Sequence, residues 1–267
     1  MSEPVRPLPT RRAALGLIGA AAVTGGLASC AAPDSRAPKT EAPTTAESSA
    51  HVPTTPAPVA PTFERDYTLP PIDGGLVPVI TRVTTKNPIV FLTIDDGVTK
   101  KPEAIELLRK YNYPVSMFLT KNFVQEDPEY FRQLMRTGDF VENHTVSHDV
   151  RMSTKPYAYQ FAEIKGMQDF AQTTFGRRPT LFRPPGGAYS PTMRKACADA
   201  GIRAIIHWET KSNAGHMDYQ YGNSLRAGDI VLMHFRPEFA ADLEAFRAAQ
   251  LAAGLTVVNL ERFLGVE

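Results

Sequence analysis

The run Ile89-Val90-Phe91-Leu92-Thr93-Ile94 ends on Asp95-Asp96-Gly97. A continuous apolar stretch with β-branched and aromatic residues is the pattern of a strand buried on both faces of a parallel sheet. Downstream lies His144-Thr145-Val146-Ser147-His148. One carboxylate and two imidazoles can grip a divalent cation on one side and leave its other positions open, as catalytic metal sites do. The spare aspartate is then free to act as a base toward water held there. Adjacent acids before a glycine also suit a plain turn, and paired histidines also occur on surfaces and in cores. The joint occurrence points to a site. Strand alternation predicts that the neighbouring aspartates point in different directions. His144 and His148, at i and i+4, share a face on a helix or tight loop.

Outward from this strand, helical and strand-like segments alternate. Lys101–Tyr111 has a helical period, followed by a strand at Val115–Leu119, a helix at Glu129–Arg136 and a short strand from Phe140-Val141. A long helix at Tyr157–Phe175 stops at Gly176. Then come a strand at Thr180–Phe182, a helix at Ser190–Ala200 and strands at Arg203–Trp208 and Ile230–His234. A helix through Leu243–Ala253 and a strand at Leu255–Val258 complete the pattern. Such alternation predicts an α/β fold with a parallel sheet, open or closed into a barrel. Asp95-Asp96, the histidines, Arg183 and His234 all fall at or just past strand C-termini, where barrel enzymes gather catalytic groups. No Gly-rich phosphate loop follows the first strand.

Thr93-Ile94-Asp95-Asp96-Gly97, His144-Thr145-Val146-Ser147-His148, Arg183-Pro184-Pro185-Gly186-Gly187 and Leu232-Met233-His234 occur in that order. Together they resemble the motifs of the polysaccharide deacetylases, carbohydrate esterase family 4, over about residues 85–262. The resemblance implies a distorted (β/α) barrel with fewer strands than a standard TIM barrel. It implies hydrolysis of N-acetyl, sometimes O-acetyl, groups on a sugar polymer with one divalent metal, usually zinc, Co²⁺, Fe²⁺ or Mn²⁺ being compatible. Carried over by motif position, Asp96, His144 and His148 are the metal ligands and Asp95 the base. Arg183 orients Asp95, a backbone N–H at Gly186 stabilises the oxyanion, and His234 protonates the leaving amine. Tyr189 and Trp208 offer stacking surface for sugar rings, although core packing or rim cover explains each as well. Peptidoglycan is the first candidate polymer and chitin-like chains the second. An acetylxylan-type esterase and a non-catalytic sugar-binding protein on the same fold are the alternatives.

Two departures from the family pattern stand out. Gly186 occupies a position where the family usually has tyrosine, for which Tyr189 is a candidate stand-in. In Trp208-Glu209-Thr210-Lys211-Ser212-Asn213-Ala214-Gly215, Lys211 stands where an aspartate partner of the catalytic histidine is expected. Glu209 and Asp229 are the candidate substitutes for that partner. His207, Glu209, His216 and Asp218 have no defined ligand spacing, and Lys211 among them repels a cation.

The ends of the chain carry a different message. Arg11-Arg12 precedes a modestly apolar stretch, Ala13–Val23, broken by Gly16 and Gly19. It is too short and glycine-rich for a membrane span and reads as an export signal of twin-arginine type over residues 1–30. Leu27-Ala28-Ser29-Cys30 resembles a lipobox, so Cys30 is expected to carry lipid, with ordinary cleavage near Ala28 as the alternative. Two acyl chains would hold the protein stably on the outer face of the cytoplasmic membrane. Residues 31–62 are mainly Pro, Thr, Ala and Ser and read as a solvated tether that spans about 100 Å when extended. The folded domain is then 63–267, long enough for one core. With 29 Lys and Arg against 28 Asp and Glu in 267 residues, the chain has no electrostatic footprint for nucleic acid. Cys197 is left alone, which rules out a disulfide framework in the domain. A monomer acting on an acetylated polysaccharide is expected.

Overall fold

The strand that opens the reading forms at Ile89–Asp96, and every residue in it is buried. A computed structural model describes residues 63–135 and 138–267. The expected export signal, the expected lipidation of Cys30 and the expected 31–62 tether lie outside the described residues. In chain order the strands are β1 (Val79–Ile80), β2 (Ile89–Asp96), β3 (Val115–Leu119), β4 (Phe140–Asn143) and β5 (Leu181–Phe182). They continue as β6 (Ala204–Ile206), β7 (Thr210–Asn213), β8 (His216–Tyr219), β9 (Ile230–His234) and β10 (Thr256–Val257). The helices are α1 (Pro102–Tyr111), α2 (Lys121–Val124), α3 (Pro128–Met135), α4 (Tyr157–Phe175), α5 (Pro191–Asp199), α6 (Phe239–Ala252) and α7 (Leu260–Leu264). No helix among the described residues is long and apolar enough to cross a membrane.

Local signals set several boundaries. Ser190 caps α5, its side chain accepting from the Met193 N–H at 3.2 Å, with Pro191 in the first turn. Gly176 ends α4 in the left-handed region at φ 79°. Asn259 caps α7 by accepting from the Arg262 N–H at 3.0 Å.

The sheet runs β1-β6-β5-β4-β3-β2-β9-β7-β8, with β10 added to the start of β2. All pairings are parallel except β7 with β8. The sheet curls into a distorted barrel. Among the described residues the path from β1 to β7 is joined by parallel pairings throughout, and β8 adds to its edge antiparallel. The chain just after β1 reaches across to the strand on the far side. There Arg82 bridges Asp229, and the Val83 N–H donates to the Gly228 carbonyl at 2.9 Å.

Alternation along the strands sorts the core. Val90, Leu92 and Ile94 pack outward with Val115, Met117 and Leu119 and with helix residues such as Ile105, Phe131 and Phe246. Ile89 and Phe91 face inward with Phe118, Leu181, Ile206, Ile230 and the α7 residues Leu260 and Phe263. Each such side chain contributes about 1.5–3 kcal/mol on burial. The inward face of β2 therefore climbs Phe91, Thr93, Asp95, from apolar floor to polar mouth.

The β7–β8 hairpin breaks the expected βα alternation. Its strands are polar, and its two-residue Ala214-Gly215 turn has both φ values positive, 52° and 77°. Near the floor, two buried acids lie close enough to influence each other. Glu142 bonds Arg177 at 2.8 Å and accepts from the Thr180 and Leu181 N–H groups, while Glu261 accepts from the Ser116 hydroxyl at 2.6 Å. Burial pushes Glu142 up to about 7, Arg177 notwithstanding. Burial, then the Glu142 charge, push Glu261 well above the usual carboxylate range.

Candidate active site

The mouth of the curl is built from the ends of four strands. Asp96 ends β2 with φ at 76°, a left-handed value rare for a non-glycine residue. Gly97 follows at φ 87°, and a Cβ there would meet Val124 Cγ1 at 2.5 Å, so only glycine fits that bend. This bend corrects the expectation from alternation. Asp95 and Asp96 do not diverge: Asp95 Oδ2 lies 3.8 Å and Asp96 Oδ1 3.5 Å from the same atom, His144 Nε2.

The histidines sit on a tight loop after β4, with Thr145 and His148 also at positive φ, 73° and 60°. Asn143 Oδ1 accepts from the Thr145 N–H at 2.9 Å, and Thr145 Oγ1 accepts from the His148 N–H at 3.0 Å. The N–H groups of Lys121 and Asn122, at the start of α2, donate to the Thr145 and Val146 carbonyls. His144 Nδ1 lies 2.7 Å from the Arg183 carbonyl. A carbonyl only accepts, so Nδ1 carries the proton and Nε2 turns its lone pair into the site. His148 Nε2 is 3.1 Å from Asp96 Oδ1.

This donor set fits a divalent cation. The three candidate ligand atoms lie within 4.8 Å of one another. Bonds of about 2.0–2.1 Å at tetrahedral angles would place ligands about 3.3 Å apart, against 3.1 and 3.5 Å from Asp96 Oδ1 to the two imidazoles. Asp96 Oδ1 is buried and makes no well-formed hydrogen bond. Burial opposes charge on Asp96, yet the close imidazoles of His144 and His148 hold it far below the usual carboxylate range. Burial likewise opposes protonation of His144, yet the Asp95 and Asp96 charges raise it. The site attracts positive charge at the point where the three atoms converge. Among the described residues this is the one His/Cys/Asp/Glu group with such convergence.

Asp95 has its own support. Arg183, fully buried, places Nη1 2.7 Å from Asp95 Oδ1 and 2.8 Å from Thr93 Oγ1. Its Nε and Nη2 donate to the Ile206 and His207 carbonyls at 3.2 and 3.3 Å. Phe118 and Trp208 cover the guanidinium, with Cζ 4.4 and 5.5 Å from the ring centres. His234 pairs in register with Asp95 on the adjacent strand, so their side chains share a face. Burial lowers the His234 pKa, with Asp95 and Asp96 opposing the fall and Arg236 and His144 adding to it.

The remaining expectations divide. Gly186 is exposed on the turn after Arg183, in the left-handed region at φ 67°, with Val150 3.5 Å from where its Cβ would stand. Tyr189 and Trp208 gather on His207, which stacks on Trp208 at 4.8 Å and meets Tyr189 edge-on at 5.7 Å. Neither proposed partner of His234 reaches it. Asp229 precedes β9 while His234 ends it, about 16 Å apart at strand rise, and Asp229 is taken up by Arg226 and Arg82 at 2.9 and 3.3 Å. Glu209 is bound to Arg226 at 2.6 Å and to Thr81. Lys211 pairs with Asp218 at 3.2 Å.

Sequence reasoning missed Thr93 and Arg236. Arg236 Nη2 lies 3.4 Å from Asp96 Oδ2. Thr93 stands two residues before Asp95 on the same strand, so alternation alone could have flagged it. Arg236 lies past the end of β9, where no periodicity applies.

A polysaccharide deacetylase family model matches residues 82–205. An uncharacterized protein of Streptomyces coelicolor is 38% identical over 195 residues, covering 71% of this chain and 78% of the relative. The chain belongs to the polysaccharide deacetylase family. A peptidoglycan-N-acetylglucosamine deacetylase of Bacillus cereus is 26% identical over 166 residues, covering 58% of this chain and 76% of that protein. In fold the chain also resembles a CE4 family pseudoenzyme from Bacillus anthracis, with TM-score 0.61, 19% identity and coverage of 70% and 69%. The resemblance drawn from the four motifs is thereby borne out for family and fold.

Proposed function

We propose that this chain removes N-acetyl groups from an N-acetylglucosamine polymer of the cell envelope, peptidoglycan first and chitin-like chains second. One observation carries this reading: Asp96 Oδ1 and the Nε2 atoms of His144 and His148 converge beside a second carboxylate, Asp95, that is separately held by buried Arg183. Asp96, His144 and His148 hold the divalent cation, and the one-carboxylate, two-imidazole set suits Zn²⁺, with Co²⁺, Fe²⁺ and Mn²⁺ compatible. When bound, the ion supplies Lewis acidity and a lowered pKa for water.

The chain's own groups do the rest. Asp95 takes the proton of the attacking water, and Arg183 keeps its carboxylate ionised and aimed. The Gly186 N–H faces the developing oxyanion. His234 delivers a proton to the departing amine. Tyr189 and Trp208 flank the mouth as surface for sugar rings. The Bacillus cereus relative supports peptidoglycan, and the reading of residues 1–62 as export signal, lipidated Cys30 and tether supports an envelope polymer.

A second reading, hydrolysis of O-acetyl esters, is favoured by the unpartnered state of His234 toward Glu209 and Asp229. An ester leaves more readily than an amide and needs acid help less. The test is acetate release by the full chain, loaded with Zn²⁺, from peptidoglycan, N-acetylglucosamine oligomers and acetylated xylan. Release from the first two supports the N-deacetylase, release confined to xylan supports the esterase, and no release from any polymer defeats both.

A further inference from the structure

The loop that carries both histidines is gripped by one face of α4. Glu163 Oε2 alone accepts from the Val146 N–H at 3.2 Å, the Ser147 N–H at 2.8 Å and the Ser147 hydroxyl at 3.0 Å. One residue on, the Ile164 carbonyl accepts from Asn143 Nδ2 at 2.9 Å. Two residues further, Gly166 leaves the space that Val146 fills, since a Cβ there would come within 2.7 Å of Val146 Cγ2. Thus one turn of α4, through Glu163, Ile164 and Gly166, meets Asn143, Val146 and Ser147. The segment needs such support. Thr145 and His148 both hold left-handed backbone without being glycine, a strain that persists only where the surroundings impose it. The carboxylate satisfies two N–H groups that this conformation turns away from regular structure.

We infer that Glu163 is a positioning residue for the cation site: it acts through the Val146–Ser147 backbone to set where His148 Nε2 stands relative to Asp96 Oδ1. Glu163 is not among the three converging ligand residues. This inference rests on the reading of Asp96, His144 and His148 as the ligand set. A carboxylate accepting two N–H groups works by geometry, and a glutamine oxygen can accept the same bonds. A negative charge acting at a distance on the cation would not survive that replacement. The two mechanisms therefore separate by substitution.

The experiment titrates the metal-stripped full chain and its variants with Co²⁺, read by the visible absorption of the bound ion, with Zn²⁺ competition giving relative affinities. Melting temperature is recorded beside it. Glu163→Ala should weaken binding about 10–100-fold, the usual effect of removing a group that orients a ligand. Glu163→Gln should stay within about threefold of the parent, because the acceptor survives. Gly166→Ala should also weaken binding while the metal-free chain melts no lower, since alanine favours a helix interior over glycine. Adding Val146→Ala to it should restore affinity. Parent-like affinity in Glu163→Ala overturns the inference, as does equal loss in Glu163→Ala and Glu163→Gln, which would assign the effect to charge. If the parent binds neither ion, the cation reading itself falls and takes this inference with it. If the parent binds one ion but Glu163→Ala keeps parent-like affinity or loses no more than Glu163→Gln, the ligand set stands and this inference alone fails.

Discussion

Arg183 Nη1 lies 2.7 Å from Asp95 Oδ1, and both side chains are cut off from solvent. The pair joins the end of β5 to the end of β2 across the inside of the curl. Burial works against the charge on Arg183, and Asp95 offsets it. Two further carbonyls and Thr93 complete the guanidinium's bonds. A point charge cannot reproduce that fork. Arg183→Lys should lower the acetate-release rate at least tenfold and destabilise the fold by about 2–4 kcal/mol, because most of the buried acceptors lose their donor. Chemical denaturation beside a rate assay checks both. A variant with parent stability and rate would show that the fork is dispensable.

His234 shares the inward face with Asp95 but gains no help from Glu209 or Asp229. Its pKa is lowered by burial, so the protonated form is lost as pH rises through a value below the ordinary one. A general acid contributes about 10²–10⁴-fold. His234→Asn should therefore cost that much in release from N-acetyl substrates and clearly less from an activated acetate ester. In the parent, the ratio of amide to ester turnover should fall as pH rises. Equal losses on both substrates would remove His234 from proton delivery.

Glu142 and Glu261 make the fold sensitive to pH far from the chemistry. Both are raised by burial, Glu142 to about 7. A carboxyl with a raised folded-state pKa binds its proton more tightly folded than unfolded. Its favourable effect is full below the unfolded value of about 4.5 and fades as pH climbs through the folded value. Glu261→Gln keeps a polar group against Ser116 and removes the charge. Melting temperatures at pH 5 and pH 8 should show stabilisation of about 1–3 kcal/mol at pH 8 and little at pH 5. The reverse order would contradict the assignment.

The parallel elements around β2 were legible because burial on both faces leaves long apolar runs, as at Ile89–Ile94 and Ile230–Met233. The four motifs lay at strand ends for the same reason. The β7–β8 hairpin was not legible. Lys211, Asn213, His216 and Asp218 are polar, and the turn uses Ala214 at positive φ where glycine or asparagine would have signalled it. The convergence of Asp95 with Asp96 also escaped, since a left-handed aspartate leaves no mark in composition. The grip of Glu163 on the histidine loop leaves no mark either, being one acid on the long α4 helix. Asp229 as a partner for His234 failed on length, because a strand separates the two.

The most direct test of the central claim takes Asp95→Asn, metal content and acetate release together. Asparagine keeps the shape and bonding reach of Asp95 but cannot accept a proton in the same way. One divalent ion per chain should remain bound, while acetate release falls by about 10²–10⁴-fold, the share of a general base. An ion retained with undiminished release, or a parent chain that holds no ion at all, would contradict the account.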